Sequence, residues 1–202
     1  MSNRTHDLNE IKNRVFHTHD FVSTAFHESG HIIYALLSLF KVDSAFLYFD
    51  KSSQRASGLT WYRAPLETLD KNADVNIVKS EICLKYAGLV AERYHFKKIS
   101  GSDKFPLFLK DGSSEDTLSA AKLIKKHCLA APGRLRYNYK KKLIAKTLKD
   151  LKNHWEEVTL VAHYLFKKKK ISFFKLQELL TNQSNNKEFW KNQFYLIDQI
   201  FI

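Results

Sequence analysis

The sequence predicts a mainly α fold with a small β-sheet, an α+β arrangement. The chain has only 6 Gly and 3 Pro in 202 residues, too few turn formers for a sheet-rich fold. Several long segments repeat apolar residues at helical spacing. Two aromatic-rich runs flank one polar stretch and predict a pair of strands. Because 44% of the residues are hydrophobic, one sizeable core is expected.

The first segments predict a polar arm followed by a buried helix. Residues 1–19 are expected to form this arm or a short polar helix, and the domain proper is expected over 20–182. Asp20 is the predicted N-cap of the helix that follows, and apolar residues surround that helix on nearly all sides. Gly30 lies inside it, and glycine weakens a helix interior by about 1 kcal/mol. We therefore expect another backbone to approach closely at Gly30.

The middle of the chain predicts a hairpin, a long helix and a loop. The strands are expected over 42–49 and 57–62, and the helix over 73–95. Small residues within Tyr86–Glu92 should let that helix pack tightly against the buried one. Residues 96–112 contain Gly101, Pro106 and Gly112 and predict a loop. The apolar run 105–109 within it predicts a lid, a partner surface or a segment docked on the core.

The second half of the chain predicts a series of helices. Ser113 and Asp116 form a Ser-x-x-Asp capping signature at the start of the first. Residues 134–170 predict one or two helices, and Ser172 is expected to cap a short helix that follows. The C-terminal segment 183–202 predicts an apolar helix or tail. It must dock on this chain or on another copy, which would make a homo-oligomer.

The formal net charge of +12 raises the question of a polyanionic partner. No nucleic-acid-binding motif accompanies the charge, so a solvated lysine-rich surface is the favoured interpretation and no nucleic-acid partner is expected. The alternative is a nucleic-acid binder whose binding falls steeply with salt. That binder would use Arg134, Arg136, Lys140, Lys141, Lys142 and Lys167–Lys170.

The chain also carries the signs of a cytoplasmic protein. No apolar run is long enough to cross a bilayer, and the N-terminus lacks the apolar segment of a signal peptide. Cys83 and Cys128 lie in predicted helices, where they are expected to be buried thiols in a reducing compartment. We therefore expect no membrane partner.

His27-Glu-Ser-Gly-His31 is an H-E-x-x-H pattern in the buried helix. Residues four apart share one helix face, so both imidazoles can bind one metal ion. Imidazole and carboxylate ligands with one open position suit zinc, which lowers the pKa of a water molecule. Glu28 is placed to take that proton as general base. Two buried histidines without a metal are the structural alternative.

A third protein ligand is expected for a catalytic zinc. The extended H-E-x-x-H-x-x-G-x-x-H pattern is absent, because Tyr34 and Leu37 stand at its Gly and His places. The ligand must therefore come from a distant segment. Spacing alone leaves Glu92, Asp111, Glu115 and Asp116 open. A carboxylate at the start of a helix suits the role, which favours Glu115 or Asp116.

Three segments together resemble the peptidase domain of FtsH-type ATP-dependent zinc metalloproteases: 26–32, 86–92 and 112–118. That family has an H-E-A-G-H helix, a G-x-A-A-E helix and a helix start that supplies an aspartate. The resemblance implies a zincin-like helical peptidase domain with zinc on His27, His31 and Asp116. It implies Glu28 as general base and Glu92 as a buried acid that orients a ligand histidine.

The departures from that family shape the predicted function. The chain shows neither the membrane helices nor the ATPase module of the family, so a separate ATPase or unfoldase is expected as a partner. We predict a stand-alone zinc endopeptidase that cuts flexible or unfolded polypeptide. One of the two predicted strands would hold the substrate by backbone pairing, with a plain structural hairpin as the alternative. A catalytically silent, zinc-stabilised scaffold is the alternative function.

Overall fold

A computed structural model of the chain describes residues 3–65, 75–102, 114–127 and 133–201. It confirms the predicted class: long helices surround one three-stranded antiparallel sheet. The first helix, α1, runs without a break over Asn3–Leu37. The predicted N-cap at Asp20 is therefore wrong, because Asp20 lies in the middle of α1. Its carboxylate instead accepts the backbone N–H of Ala56 and ties α1 to the sheet.

The predicted hairpin is present as β1, Lys41–Asp50, and β2, Arg55–Arg63. Asp50 accepts hydrogen bonds from Ser52 and Ser53 and stabilises the turn between the strands. A third strand, β3, Lys170–Ser172, was not predicted. It pairs with Ser44–Phe46 of β1, so the strand order is β2-β1-β3. β1 is thus central, and β2 lies at an edge.

The second helix, α2, spans Val75–Ser100 and packs along α1. The predicted helix over 73–95 is confirmed from Val75, but the loop predicted over 96–112 begins later than expected. Residues 96–100 still form helix, because this stretch has no Gly or Pro before Gly101 to end it. The apolar run 105–109 lies outside the described residues.

Gly30 lies where α1 crosses α2, as expected. A Cβ atom there would lie 2.6 Å from the Cβ of Ala91 and closer still to the carbonyl oxygen of Ala87. The two helices therefore meet backbone to backbone, and the small residues of α2 make this contact possible. This packing fixes the positions of the two histidines that flank Gly30 relative to α2.

The remaining helices complete the core. Residues 134–170 form two helices, and Ser172 caps the helix after β3 by accepting the N–H of Lys175, as predicted. Cys83 is a buried thiol, while Cys128 lies outside the described residues. The helices are α3, Ser114–His127; α4, Gly133–Asn153; α5, Trp155–Lys168; α6, Phe173–Gln183; and α7, Lys187–Ile200.

The predicted C-terminal helix, α7, docks on its own chain. Trp190, Phe194 and Ile197 are fully buried, and the Gln193 amide donates a 2.6 Å hydrogen bond to the carbonyl of Leu36 at the end of α1. This helix is therefore part of the core. A homo-oligomer through this helix stays a prediction. Among the described residues, no helix is long and apolar enough to span a membrane.

Candidate metal centre

Three side chains from two separate helices converge beside the sheet. His27 and His31 lie one turn apart on α1, and Asp116 lies in the first turn of α3. The two imidazole Nε2 atoms are 3.1 Å apart. Asp116 Oδ2 lies 3.1 Å from His31 Nε2 and 3.3 Å from His27 Nε2. Three potential donor atoms therefore form a small triangle around one point.

The opposite nitrogen of each imidazole has its own partner. His31 Nδ1 lies 2.9 Å from the carbonyl oxygen of Leu84, which can only accept a hydrogen bond. His27 Nδ1 lies 3.3 Å from Glu92 Oε2, and the Ser23 hydroxyl donates to the other oxygen of Glu92 at 2.6 Å. Both Nδ1 atoms therefore carry the proton in the neutral rings, and both Nε2 atoms point a lone pair inward.

Two inward lone pairs and a carboxylate oxygen repel one another unless a positive charge lies between them. Burial by itself lowers the pKa of His27, but hydrogen bonds to Asp116 and Glu92 raise it to about 10. Burial by itself raises the pKa of Asp116, but its hydrogen bonds to both histidines hold that pKa far below its usual range. The site thus demands a cation, either a proton or a metal ion.

The donor set and its dimensions fit a divalent transition metal. Two imidazole nitrogens and one carboxylate oxygen are common zinc ligands, with bond lengths of about 2.0–2.2 Å. Tetrahedral ligands at that range lie about 3.3–3.5 Å apart, and the present separations are 3.1–3.3 Å. A metal of this size would enter with small outward shifts of the donors. The three residues would leave one tetrahedral position open.

Two glycines bring backbone against the donor triangle and the neighbouring Glu28. A Cβ on Gly88 of α2 would lie 2.5 Å from Nε2 of His27 and closer still to Nε2 of His31. A Cβ on Gly58 of β2 would lie 2.5 Å from Oε1 of Glu28 and 2.6 Å from its Cδ. Only glycine leaves room for these side chains, so both positions belong to the site.

Glu28 is buried on the sheet side of this triangle, with 5% of its surface exposed. The Thr60 hydroxyl of β2 donates a 2.6 Å hydrogen bond to its Oε2. This hydrogen bond fixes the orientation of the carboxylate and leaves Oε1 available to accept a proton. Glu28 and His27 together line one cleft, which places the carboxylate beside the donor triangle.

The cleft has a volume of about 340 Å³. It extends from His27 and Glu28 to the tip of the β1–β2 hairpin, where Tyr48 and Ser53 lie. Glu115, just before Asp116, lies exposed at its rim. A solvent-connected path therefore reaches His27 and Glu28.

The structure separates three of the four candidates for the third ligand. Asp116 joins the triangle with both histidines, whereas Glu115 points to the rim and Glu92 lies behind His27. Asp111 lies outside the described residues. His27, His31 and Glu28 are also brought together as predicted, although their chemical roles stay predictions.

Several residues of the site were missed in the sequence. Thr60 is one threonine in a strand, and only its place opposite Glu28 gives it a role. Gly58 and Gly88 carried a usable signal, because a glycine inside a strand or a helix often marks a close backbone approach. Ser23 shows no signal of its own.

Comparison with known proteins adds no assignment. No protein-family model matches this chain, and no curated protein matches it.

Proposed function

We propose that the chain is a zinc-dependent peptidase with His27, His31 and Asp116 as the metal ligands. The observation that carries the proposal is the convergence of two imidazole lone pairs and one carboxylate oxygen from two helices. A carboxylate, Glu28, lies beside that triangle in a cleft open to solvent. A purely structural zinc site has four protein ligands, whereas three donors and an adjacent carboxylate are typical of hydrolytic sites.

The proposed reaction is hydrolysis of a peptide bond. When bound, the metal would supply Lewis acidity, which makes a water molecule acidic at neutral pH. Glu28 would accept the proton of that water through Oε1 and later deliver it to the leaving amine. Thr60 would hold Glu28 in this orientation, and Glu92 would keep the proton on His27 Nδ1. Glu28 and Glu92 are both buried, which keeps these positions fixed.

The substrate in this proposal is an extended polypeptide. β1 is paired on both sides at Ser44–Phe46, and the described residues place no strand against the outer edge of β2. Gly58 and Thr60 of β2 lie against Glu28, so a peptide paired with β2 would run close to the donor triangle. Backbone pairing tolerates many sequences. The preferred substrates would be flexible or unfolded chains, delivered by a separate unfoldase where they are folded.

The resemblance to FtsH-type peptidase domains supports the same proposal. That resemblance implies that a helix rich in small residues and an aspartate at the start of another helix lie next to the H-E-x-x-H helix. In the fold, α2 lies against α1 at Gly30, and α3 opens with the aspartate beside both histidines. We therefore propose an evolutionary relation to that peptidase domain.

Metal content and cleavage test the proposal together. The wild-type chain should contain about one zinc per molecule by elemental analysis and should cut an unfolded, fluorescently labelled protein. Asp116→Ala should lose both metal and cleavage. Glu28→Gln should keep the metal and lose cleavage, because the amide cannot accept the proton. Glu115→Gln is the matched control on the neighbouring residue and should keep both.

Two results would contradict the proposal. Wild-type protein without affinity for zinc would remove the metal site. Cleavage retained by Glu28→Gln would remove the mechanism. Bound zinc with no turnover of any unfolded protein would instead support the zinc-stabilised scaffold.

A further inference from the structure

The outer face of α4 is the most basic surface among the described helices. This helix contains eight Lys or Arg residues and one acidic residue, Asp150. Six of the basic residues are exposed and define the α4 basic face: Arg134, Lys141, Lys142, Lys146, Lys149 and Lys152.

Helical geometry gathers these six residues on one side. At about 100° per residue they fall within an arc of about 140°, and their Cα atoms span about 27 Å along the axis. The opposite side of α4, with Leu143, Thr147 and Leu151, is buried in the core. The exposed large apolar side chains of α4 are Leu135 and Tyr137, both near its N-terminus. Two residues do not form the apolar face with which a helix enters a lipid layer, which makes a membrane a poor fit.

Few opposite charges balance this face. Lys146 pairs with Asp150, and no other carboxylate in the described part of the chain lies within ion-pair distance of its six residues. Lys142 and Lys146 stand four residues apart, an arrangement that destabilises a helix by repulsion. Arg134 lies in the first turn, where the helix dipole also disfavours a cation. A bound polyanion would relieve both effects.

An exposed aromatic ring adjoins the same face. Tyr137 is 56% exposed, and the Lys141 ammonium lies 4.7 Å from its ring centre. Rows of cations with an accessible aromatic side chain are typical of surfaces that follow a nucleic-acid backbone. The other basic run, Lys167–Lys170, lies at the end of α5 and in β3, on different elements.

We propose that the α4 basic face binds the phosphate backbone of a nucleic acid without sequence preference. The absence of a nucleic-acid-binding motif favours a solvated surface, but the fold adds that six of the cations share one face of α4. The face lies on α4 and shares no residue with the donor triangle, so the proposal is independent of the peptidase proposal.

The proposal is tested by binding of the 202-residue chain to a labelled DNA duplex of about 20 base pairs. Affinity is measured by fluorescence anisotropy between about 50 and 200 mM salt. Lys141→Ala, Lys142→Ala and Lys149→Ala are combined in one variant, since alanine preserves the helix. We expect affinity to fall about tenfold or more, and the slope of log K against log salt to become shallower by about 2.7.

A matched variant removes the same charge elsewhere. Lys51→Ala, Lys187→Ala and Lys191→Ala change exposed lysines in the β1–β2 turn and on α7 and should leave affinity within about twofold of wild type. Circular dichroism of both variants checks that the helices are intact. Equal weakening by the two variants would show that only net charge matters and would overturn the proposal.

Two further results would also overturn it. One is absence of duplex binding by the wild-type chain at about 50 mM salt. The other is tighter binding to an acidic polypeptide, such as poly-glutamate, than to the duplex at equal salt. That second result would assign the face to a protein partner.

Discussion

Gly88→Ala is the sharpest test of the donor triangle, because it adds one methyl group at a known place. The new Cβ would lie 2.5 Å from Nε2 of His27 and closer still to Nε2 of His31. Ordinary contact with these atoms begins at about 3.4 Å. Both imidazoles would have to move by nearly 1 Å, whereas a functional site tolerates displacements of only about 0.5 Å.

The effect on the metal site should far exceed the effect on the fold. Alanine favours a helix interior over glycine by about 1 kcal/mol, which offsets part of the roughly 1–3 kcal/mol expected from overpacking. Unfolding free energy without metal should therefore change by no more than about 2 kcal/mol. Zinc affinity should fall about 100-fold or more, equivalent to about 2.8 kcal/mol.

Competition with a zinc-binding dye measures that affinity, and urea unfolding in the presence of a chelator measures the metal-free stability. Gly133→Ala is the matched control, because a Cβ there meets no atom within 4 Å. Wild-type zinc affinity in Gly88→Ala would refute the assignment of the two Nε2 atoms as ligands. A large loss of metal-free stability would show that Gly88 serves the packing of α2.

Three further predictions concern neighbouring side chains. Gly58→Ala should displace the Glu28 carboxylate, because the new Cβ would lie 2.5 Å from Glu28 Oε1. The zinc content should stay unchanged while kcat for peptide cleavage falls, and an unchanged kcat would contradict the role of Glu28. Glu92→Gln should lower zinc affinity about 10–100-fold, measured by the same competition, because His27 loses a charged acceptor; unaltered affinity would count against that role. Burial alone raises the pKa of Glu157, but hydrogen bonds from Ser184, Asn186 and Trp190 lower that pKa overall. The ionised Glu157 carboxylate therefore stabilises the fold above pH 4.5, the ordinary pKa, and this stabilisation is lost as pH falls through the lowered pKa. Glu157→Gln should lower the unfolding free energy by about 1–3 kcal/mol at pH 7 and by less at pH 3, and an equal loss at both pH values would exclude this linkage.

Local sequence patterns predicted most helices and the shared helix face of His27 and His31, because these features depend on residues that are neighbours in the chain. The spacing of His27 and His31 places both rings on one face of any helix. Gly30 signalled a close contact for an equally local reason, since a glycine in a buried helix has a backbone against it. The hairpin followed from two aromatic runs around a polar turn.

Long-range contacts set the limit of that reasoning. Spacing left Asp116 and Glu115 equally open, and before the fold was known only the resemblance favoured Asp116. In the fold, the direction in which α3 leaves its first turn brings Asp116 to the two histidines. β3 is three residues long and exists through its pairing with β1, more than 100 residues away. The unbroken α1 was not predicted, because residues 1–19 were interpreted as a separate short polar helix or arm, although Leu8, Ile11 and Val15 follow helical spacing.

The placement of one donor on α3 has a consequence for how firmly this helix is held. Ala120 and Ile124 are the buried apolar side chains among its described residues, so α3 is anchored by a small area. A metal ion bound by both Asp116 and the histidines of α1 would link α3 to α1, two segments some 85 residues apart in the chain. The α3 amide hydrogens should then exchange more slowly with zinc bound than in the presence of a chelator, so their exchange rate reports how much of the site is occupied.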